Sequence, residues 1–288
     1  WLLCFSLSLP AQAETIVATL SGHEPLPNGD ILQSRWTATE RQQTRTYLTD
    51  LFAQRGITLR EQTYAMPNLY ALQDLLLGPF RGANLYGVLP AHQATDEYVL
   101  LGAHYDTEKG APGANDNASA MALLYGVVEQ LSKLPQRRKN LLFIFFDQEE
   151  EDNVGSRAFI RFLRQQSWRI HSVHTVDQMG WDADGDRNVE VELPTPSLEK
   201  RYQNAARAMG ITAYVTGVSA SDHQAFRNAG YPAVGLTEEF AHGDTSPYKD
   251  SPADTYATVN FAFINSTTEL VYRVFRSILT ETEDDGTK

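Results

Sequence analysis

Between residues 84 and 176 the chain alternates short, almost wholly apolar runs with stretches in which apolar residues recur at helical spacing. NLYGVLP (84–90), YVLLGAHYD (98–106) and NLLFIFFD (140–147) have strand length and are bounded by turn residues, and IHSVHTVDQMG (170–180) continues the series. Between them, residues 117–134 and the segment holding Phe159, Ile160, Phe162 and Leu163 predict helices. An earlier helix is predicted over 36–54, where Trp36, Leu48, Leu51 and Phe52 stand among polar residues before a stop at Gly56. PSLEKRYQNAARAMG, SDHQAFRNAG, YPAVGLT and a last helix over 260–279 extend the alternation.

Strands that are apolar on both faces and alternate with helices predict an α/β protein. The expected form is a three-layer sandwich, with a mostly parallel mixed central sheet covered by helices on both faces. No repeat, low-complexity block or Pro/Gly-rich linker divides residues 14–280, so a single domain is expected there. With 42% apolar and 10% aromatic residues, a chain of 288 residues can bury a sizeable core. Lys and Arg number 24 against 36 Asp and Glu, a formal charge of -12, and the basic residues do not cluster. That balance argues against nucleic acid or an anionic membrane as partner and favours cations.

Residues 1–13, WLLCFSLSLPAQA, form a short apolar run closed by Ala11-Gln12-Ala13, the pattern of an export signal cleaved after Ala13. A secreted or periplasmic location is therefore expected. The run is too short for a membrane span, and the remainder of the chain has no longer one. Cleavage would remove Cys4, the single cysteine, leaving only His, Asp and Glu to build a metal site. Residues 281–288 read as an acidic, solvated tail.

The polar clusters follow the strands. In open α/β sheets ligands bind beyond the carboxyl ends of the strands, so HYD, EEE and VDQMG should meet there. Taken singly, His104 fits a core histidine, Asp106 and Asp116 fit turn and cap residues, and Glu149 to Asp152 fit a solvated helix start. Taken together, they place like charges side by side, which a cation would compensate. His104 offers a nitrogen ligand and Asp106 a partner for its other ring nitrogen. Asp116 and Asp177 offer further oxygens. Glu149 and Glu150, adjacent, point different ways, so one can hold a metal while its neighbour handles the proton of a water.

AHYDT (103–107), GANDNASA (113–120), FFDQEEEDNVGS (145–156), VDQMG (176–180) and SPADT (251–255) resemble family 28 of the metallopeptidases in order and spacing. The resemblance implies a zinc-exopeptidase fold, two zinc ions and hydrolysis at the amino end of peptide substrates. It implies Glu149 as general base, selected by its distance to Gly155-Ser156. His104 and Asp177 would hold one zinc, Glu150 the other, and Asp116 would bridge them. Asp106 would stand behind His104, the Asp116-Asn117 peptide would be cis, and Ser221-Asp222-His223 would bring His223 to the substrate cleft.

One position departs from the family pattern. Asp250 in DSPADT stands where the family usually has a histidine ligand. Asp250 is the expected fifth ligand, with recruitment of His242 or a weak second site as alternatives. A second site made only of oxygens would lower the Lewis acidity of its metal and tolerate harder ions such as Mn²⁺. Two other functions compete. FFDQEE is also similar to the FFDGEE-like segment of the single-zinc glutaminyl cyclases, and a non-catalytic binding domain can occupy the same fold.

Overall fold

The computed structural model describes residues 9–68 and 71–282. Eight strands form one sheet in the order β1-β2-β4-β3-β5-β8-β6-β7. They are β1 (Leu59–Met66), β2 (Phe80–Leu89), β3 (Glu97–His104), β4 (Asn140–Phe146), β5 (Arg169–Val176), β6 (Val189–Glu192), β7 (Ala213–Thr216) and β8 (Ala233–Thr237). The central run β4-β3-β5-β8 is parallel; β1 and β2 add antiparallel on one side, and β6 joins β8 antiparallel on the other.

The continuous apolar runs arise because β4 is buried on both faces. Leu141, Phe143 and Phe145 enter one core and Leu142, Ile144 and Phe146 the other. The larger core lies under α1 (Leu9–Leu20), α2 (Ala38–Ala53), α4 (Ala120–Ser132), α6 (Pro196–Met209) and α8 (Phe261–Thr280). The smaller core is closed by Phe159, Ile160 and Leu163 of α5 (Val154–Leu163) and Phe226 of α7 (Asp222–Asn228). A short helix, α3 (Ala71–Leu77), precedes β2. The layers thus agree with the expected sandwich.

Three local readings need revision or addition. Helix α1 runs through the expected cleavage point, and Ala13, Ile16, Val17 and Leu20 lie in the larger core; residues 1–8 are outside the described residues. The helix expected over 117–134 begins as an irregular π-helical turn over Ala114–Ser119, with non-helical backbone at Asp116 and Asn117, and becomes regular only at Ala120. Asp116 does not cap it; the Ser119 hydroxyl donates instead to the Asn115 carbonyl at 2.6 Å. Glu281, at the start of the expected tail, is held by Arg201 at 2.6 Å and Lys139 at 3.4 Å, while residues 283–288 are not among those described.

Candidate metal centre

Strands β3, β4 and β5 run parallel, so their carboxyl ends open on one rim, and each delivers part of the centre. His104 is the last residue of β3. Glu149 and Glu150 follow β4 across Gln148, whose φ of +54° turns the chain sharply. Asp177 follows β5, its N–H donating to the Leu236 carbonyl at 3.0 Å. The turn after β4 is tightened at Gly155, where a Cβ would come within 2.0 Å of the Asp147 carbonyl oxygen, so helix α5 can start against the strand end only with glycine there.

His104 Nε2 lies 3.1 Å from Asp116 Oδ1 and 3.3 Å from Asp177 Oδ1. One ligand atom each of His104, Asp116 and Glu150 lies within 4.8 Å of the others. His104 Nδ1 faces Asp106 Oδ1 at 3.5 Å. Asp106 in turn accepts the backbone N–H groups of Glu149 at 3.0 Å and Glu150 at 3.2 Å, so one buried carboxylate aligns the imidazole and both glutamates. Glu151, next along the acidic run, accepts a hydrogen bond from the Gln148 amide.

Asp116 sits on a loop held from beneath. Asp254 accepts the N–H groups of Asn115 at 2.8 Å and of Asp116 at 3.0 Å, and the Asp116-Asn117 peptide is cis. Arg35, fully buried, donates to the carbonyls of Tyr105, Pro112 and Gly113 at 2.7, 2.8 and 2.9 Å, tying the segment after β3 to the same loop. The Gln178 amide donates to Asp116 Oδ2 at 3.2 Å.

The electrostatics of the cluster follow from burial and crowding. Burial opposes the charge on His104, but Asp177 and the hydrogen-bonding carboxylates Asp106 and Asp116 outweigh it and raise the imidazole pKa well above its ordinary value. Burial also raises Glu149 well above the carboxylate range, with Asp177, Asp222 and Glu150 adding to it against His104. Glu150 is pushed to about 10 by burial and then by Asp116. Asp177 goes the other way: despite burial, His104 holds it down to about 2. Carboxylates forced together in this way are relieved by a shared cation.

The donor set fits zinc. One imidazole nitrogen and several carboxylate oxygens converge, and the 3.1 and 3.3 Å from His104 Nε2 to Asp116 and Asp177 fall inside the roughly 4 Å that two metal–ligand bonds of about 2 Å can span. Asp116 Oδ1 is buried and faces the His104 Nε2 at 3.1 Å, two atoms that a metal between them would take as ligands.

The remaining expected residues lie farther out. Asp250, with φ +57°, is not part of the close group formed by His104, Asp116 and Glu150; its Oδ2 lies 3.7 Å from Lys249 Nζ. The same ammonium lies 3.9 Å from Asp116 Oδ2. His223 is buried, with Nε2 at 3.1 Å from the Val218 carbonyl and Nδ1 at 3.5 Å from Glu192 Oε2. His242 is held by Glu190, 2.6 Å from its Nδ1, and stacks on Tyr214. A cleft beside Asp177 is walled by Glu192, Val218, Ser221, Phe240 and Lys249. Sequence reasoning missed Lys249, Asp254 and Arg35. Asp254 alone left a signal, as the acid of the SPADT segment.

A profile of Peptidase family M28 matches residues 84–275. The chain belongs to that family. Among M28 relatives, Aminopeptidase YwaD of Bacillus subtilis (strain 168) is 25% identical over 201 residues, which is 65% of this chain and 43% of YwaD, so the chain spans less than half the length of that relative. The structure of BSAP, a zinc aminopeptidase from Bacillus subtilis, superposes with a TM-score of 0.82 at 13% identity, covering 98% of both chains. Glutaminyl cyclase from Porphyromonas gingivalis gives a TM-score of 0.75 at 16% identity, covering 93% of this chain and 98% of that one. These two likenesses concern the M28 fold alone.

Proposed function

We propose that this M28 protein is a zinc-dependent aminopeptidase that hydrolyses the first peptide bond of peptide substrates. The observation that carries the reading is the gathering of His104, Asp116, Glu150 and Asp177 at the rim of three parallel strands, with Glu149 beside them. His104 and Asp177 would hold one zinc and Glu150 the other, Asp116 would serve both, and Asp250, in the loop before α8 and outside the close group of His104, Asp116 and Glu150, would have to approach to complete the second site. Zinc bound there supplies Lewis acidity toward the scissile carbonyl and lowers the pKa of the attacking water.

Glu149 handles the proton. It is 9% exposed, and among the described residues no donor hydrogen-bonds its carboxylate, so both oxygens are free to meet water. Its raised proton affinity suits a group that must accept a proton from water and then return it to the departing amine. Asp106 keeps Glu149 in place through the backbone N–H and keeps the His104 ring oriented.

Lys249 modifies the expectation drawn from Asp250. Four carboxylates, Asp116, Glu150, Asp177 and Asp250, would balance two divalent ions, and the Lys249 ammonium returns one positive charge close to the second site. The lysine thus offsets the extra carboxylate electrostatically but opposes entry of the second ion.

That competition also favours one rival, a single-zinc glutaminyl cyclase. The zinc-loaded protein, incubated with leucine-starting and glutamine-starting peptides, distinguishes them. Release of the free terminal amino acid, abolished by chelator and restored by zinc, supports the peptidase; release of ammonia from the glutamine peptide, with the peptide bond intact, overturns it.

A further inference from the structure

Strand β6 ends in the cleft beside the metal centre with a buried acid. Glu192, 4% exposed, pairs with Gly235 of β8 and lines the recess next to Asp177, with Val218, Ala220, Phe240 and Lys249 as further walls. A Cβ at Gly235 would come within 2.6 Å of both Glu192 Oε2 and His223 Nδ1. Glycine there leaves the space in which these two groups face each other at 3.5 Å.

The pair lacks a donor. His223 Nε2 lies 3.1 Å from the Val218 carbonyl, which can only accept, so the ring proton sits on Nε2 and Nδ1 presents a lone pair. Burial lowers the pKa of that ring and keeps it neutral. Nδ1 is buried with no hydrogen-bond partner, and among the described residues no N–H or O–H group hydrogen-bonds the Glu192 carboxylate. Lys249, the cation in the wall, is turned toward Asp250 and Asp116, 3.7 and 3.9 Å from its Nζ. Two buried acceptors on one recess therefore call for a donor that enters from outside.

The walls decide which donor fits. Val218, Ala220 and Phe240 offer apolar surface to an aliphatic stem, and the acid offers a partner to a positive tip. Because the recess adjoins Asp177, a peptide whose scissile carbonyl lies at the metals reaches it with the side chain of its first residue. We propose that Glu192, with His223 Nδ1, selects peptides whose first residue is arginine or lysine. The inference rests on the aminopeptidase reading and adds its substrate class.

A proton held between Glu192 and His223 would satisfy the same two groups without a ligand, and burial with Asp177 raises the glutamate to about 8. Zinc on Asp177 removes the second of those causes. A neutral pair would not distinguish arginine from citrulline, its uncharged isostere, and that comparison is the test.

Binding of L-arginine, L-citrulline and L-leucine to the zinc-loaded protein is measured by calorimetry, and kcat/KM is measured for arginyl and leucyl peptides. Arginine should bind about 10- to 100-fold more tightly than citrulline, the scale of hydrogen bonds to a charged group, and the arginyl peptide should lead the leucyl peptide in kcat/KM by a similar factor. Glu192→Gln, with zinc content at the parent level, should level arginine and citrulline; the parent comparison decides even if that variant fails to fold. Equal binding of arginine and citrulline by the parent, or a ratio that survives Glu192→Gln, would overturn the proposal. Discrimination in binding with no peptide hydrolysed would support the recess and strike the aminopeptidase reading. Hydrolysis of both peptides without an arginine preference would do the reverse.

Discussion

The oxygen of Asp106 that accepts the Glu149 N–H at 3.0 Å is the same one that faces His104 Nδ1 at 3.5 Å. A single atom thus couples the orientation of the ring that binds metal to the backbone that carries the base. Asp106→Ala should loosen both. Zinc affinity is expected to fall by about 10- to 100-fold, the usual cost of losing the partner of a ligating imidazole. Competition with a chelator of known affinity measures this, and unchanged affinity together with unchanged turnover would remove Asp106 from the mechanism.

Glu149→Gln keeps the size and removes the proton acceptor. Zinc content should stay at the parent level while kcat drops by roughly 10²- to 10⁴-fold with little change in KM, as expected for loss of general base catalysis. Normal turnover in the loaded variant would show that another group moves the proton.

Lys249 and Asp250 define the second ion. Lys249→Met removes an ammonium that lies 3.9 Å from Asp116 and should raise affinity for the second zinc by on the order of tenfold. Asp250→His restores a nitrogen donor and should shift preference from Mn²⁺ toward Zn²⁺. Calorimetric titration of metal-depleted protein reads both. Identical isotherms for parent and variants would mean that neither residue touches the second site.

His174 supplies a pH dependence unrelated to catalysis. Its ring is fully buried beside Tyr202 and Ser172, and burial, helped by His171 and Arg201, lowers its pKa from 6.5 to about 3. With the folded value depressed, the unfolded chain takes up a proton that the folded one refuses between those two values. Stability is therefore complete above pH 6.5 and declines as pH falls toward 3, by at most about 1.4 kcal/mol per pH unit. His174→Gln should flatten this decline in urea unfolding at pH 7 and pH 5; equal declines in both proteins would contradict it.

How much of this was legible from the sequence depended on where the apolar residues fall. Strands β3, β4 and β5 are buried on both sides and announce themselves as continuous apolar runs, and the acids at their ends mark the rim. Strand β1 lies at the sheet edge with its middle largely exposed, and β6 and β7 have four residues each, so no run of useful length forms. In Val189-Glu190-Val191-Glu192 even the glutamates are buried, against the usual alternation of apolar and polar faces. The apolar run over residues 1–13 reads as an export signal, yet α1 begins within it at Leu9; apolar composition with small residues is the same whether a segment is removed or packed.

At the centre, His104, Asp116, Glu150 and Asp177 were readable because their side chains meet directly. Arg35 and Asp254 act on backbone groups of distant loops, a role that no spacing in the chain encodes. Lys249 is adjacent to the position where the sequence departs from the family pattern, but an isolated lysine carries no motif. Its proximity to Asp116 depends on how the 238–250 segment folds.

The most direct test is an anomalous-difference map collected at the zinc edge from crystals of the zinc-loaded protein. The account predicts a peak shared by His104, Asp116 and Asp177 and a second, weaker one between Asp116 and Glu150. A map with density at neither position, from protein that turns over peptides, would contradict it.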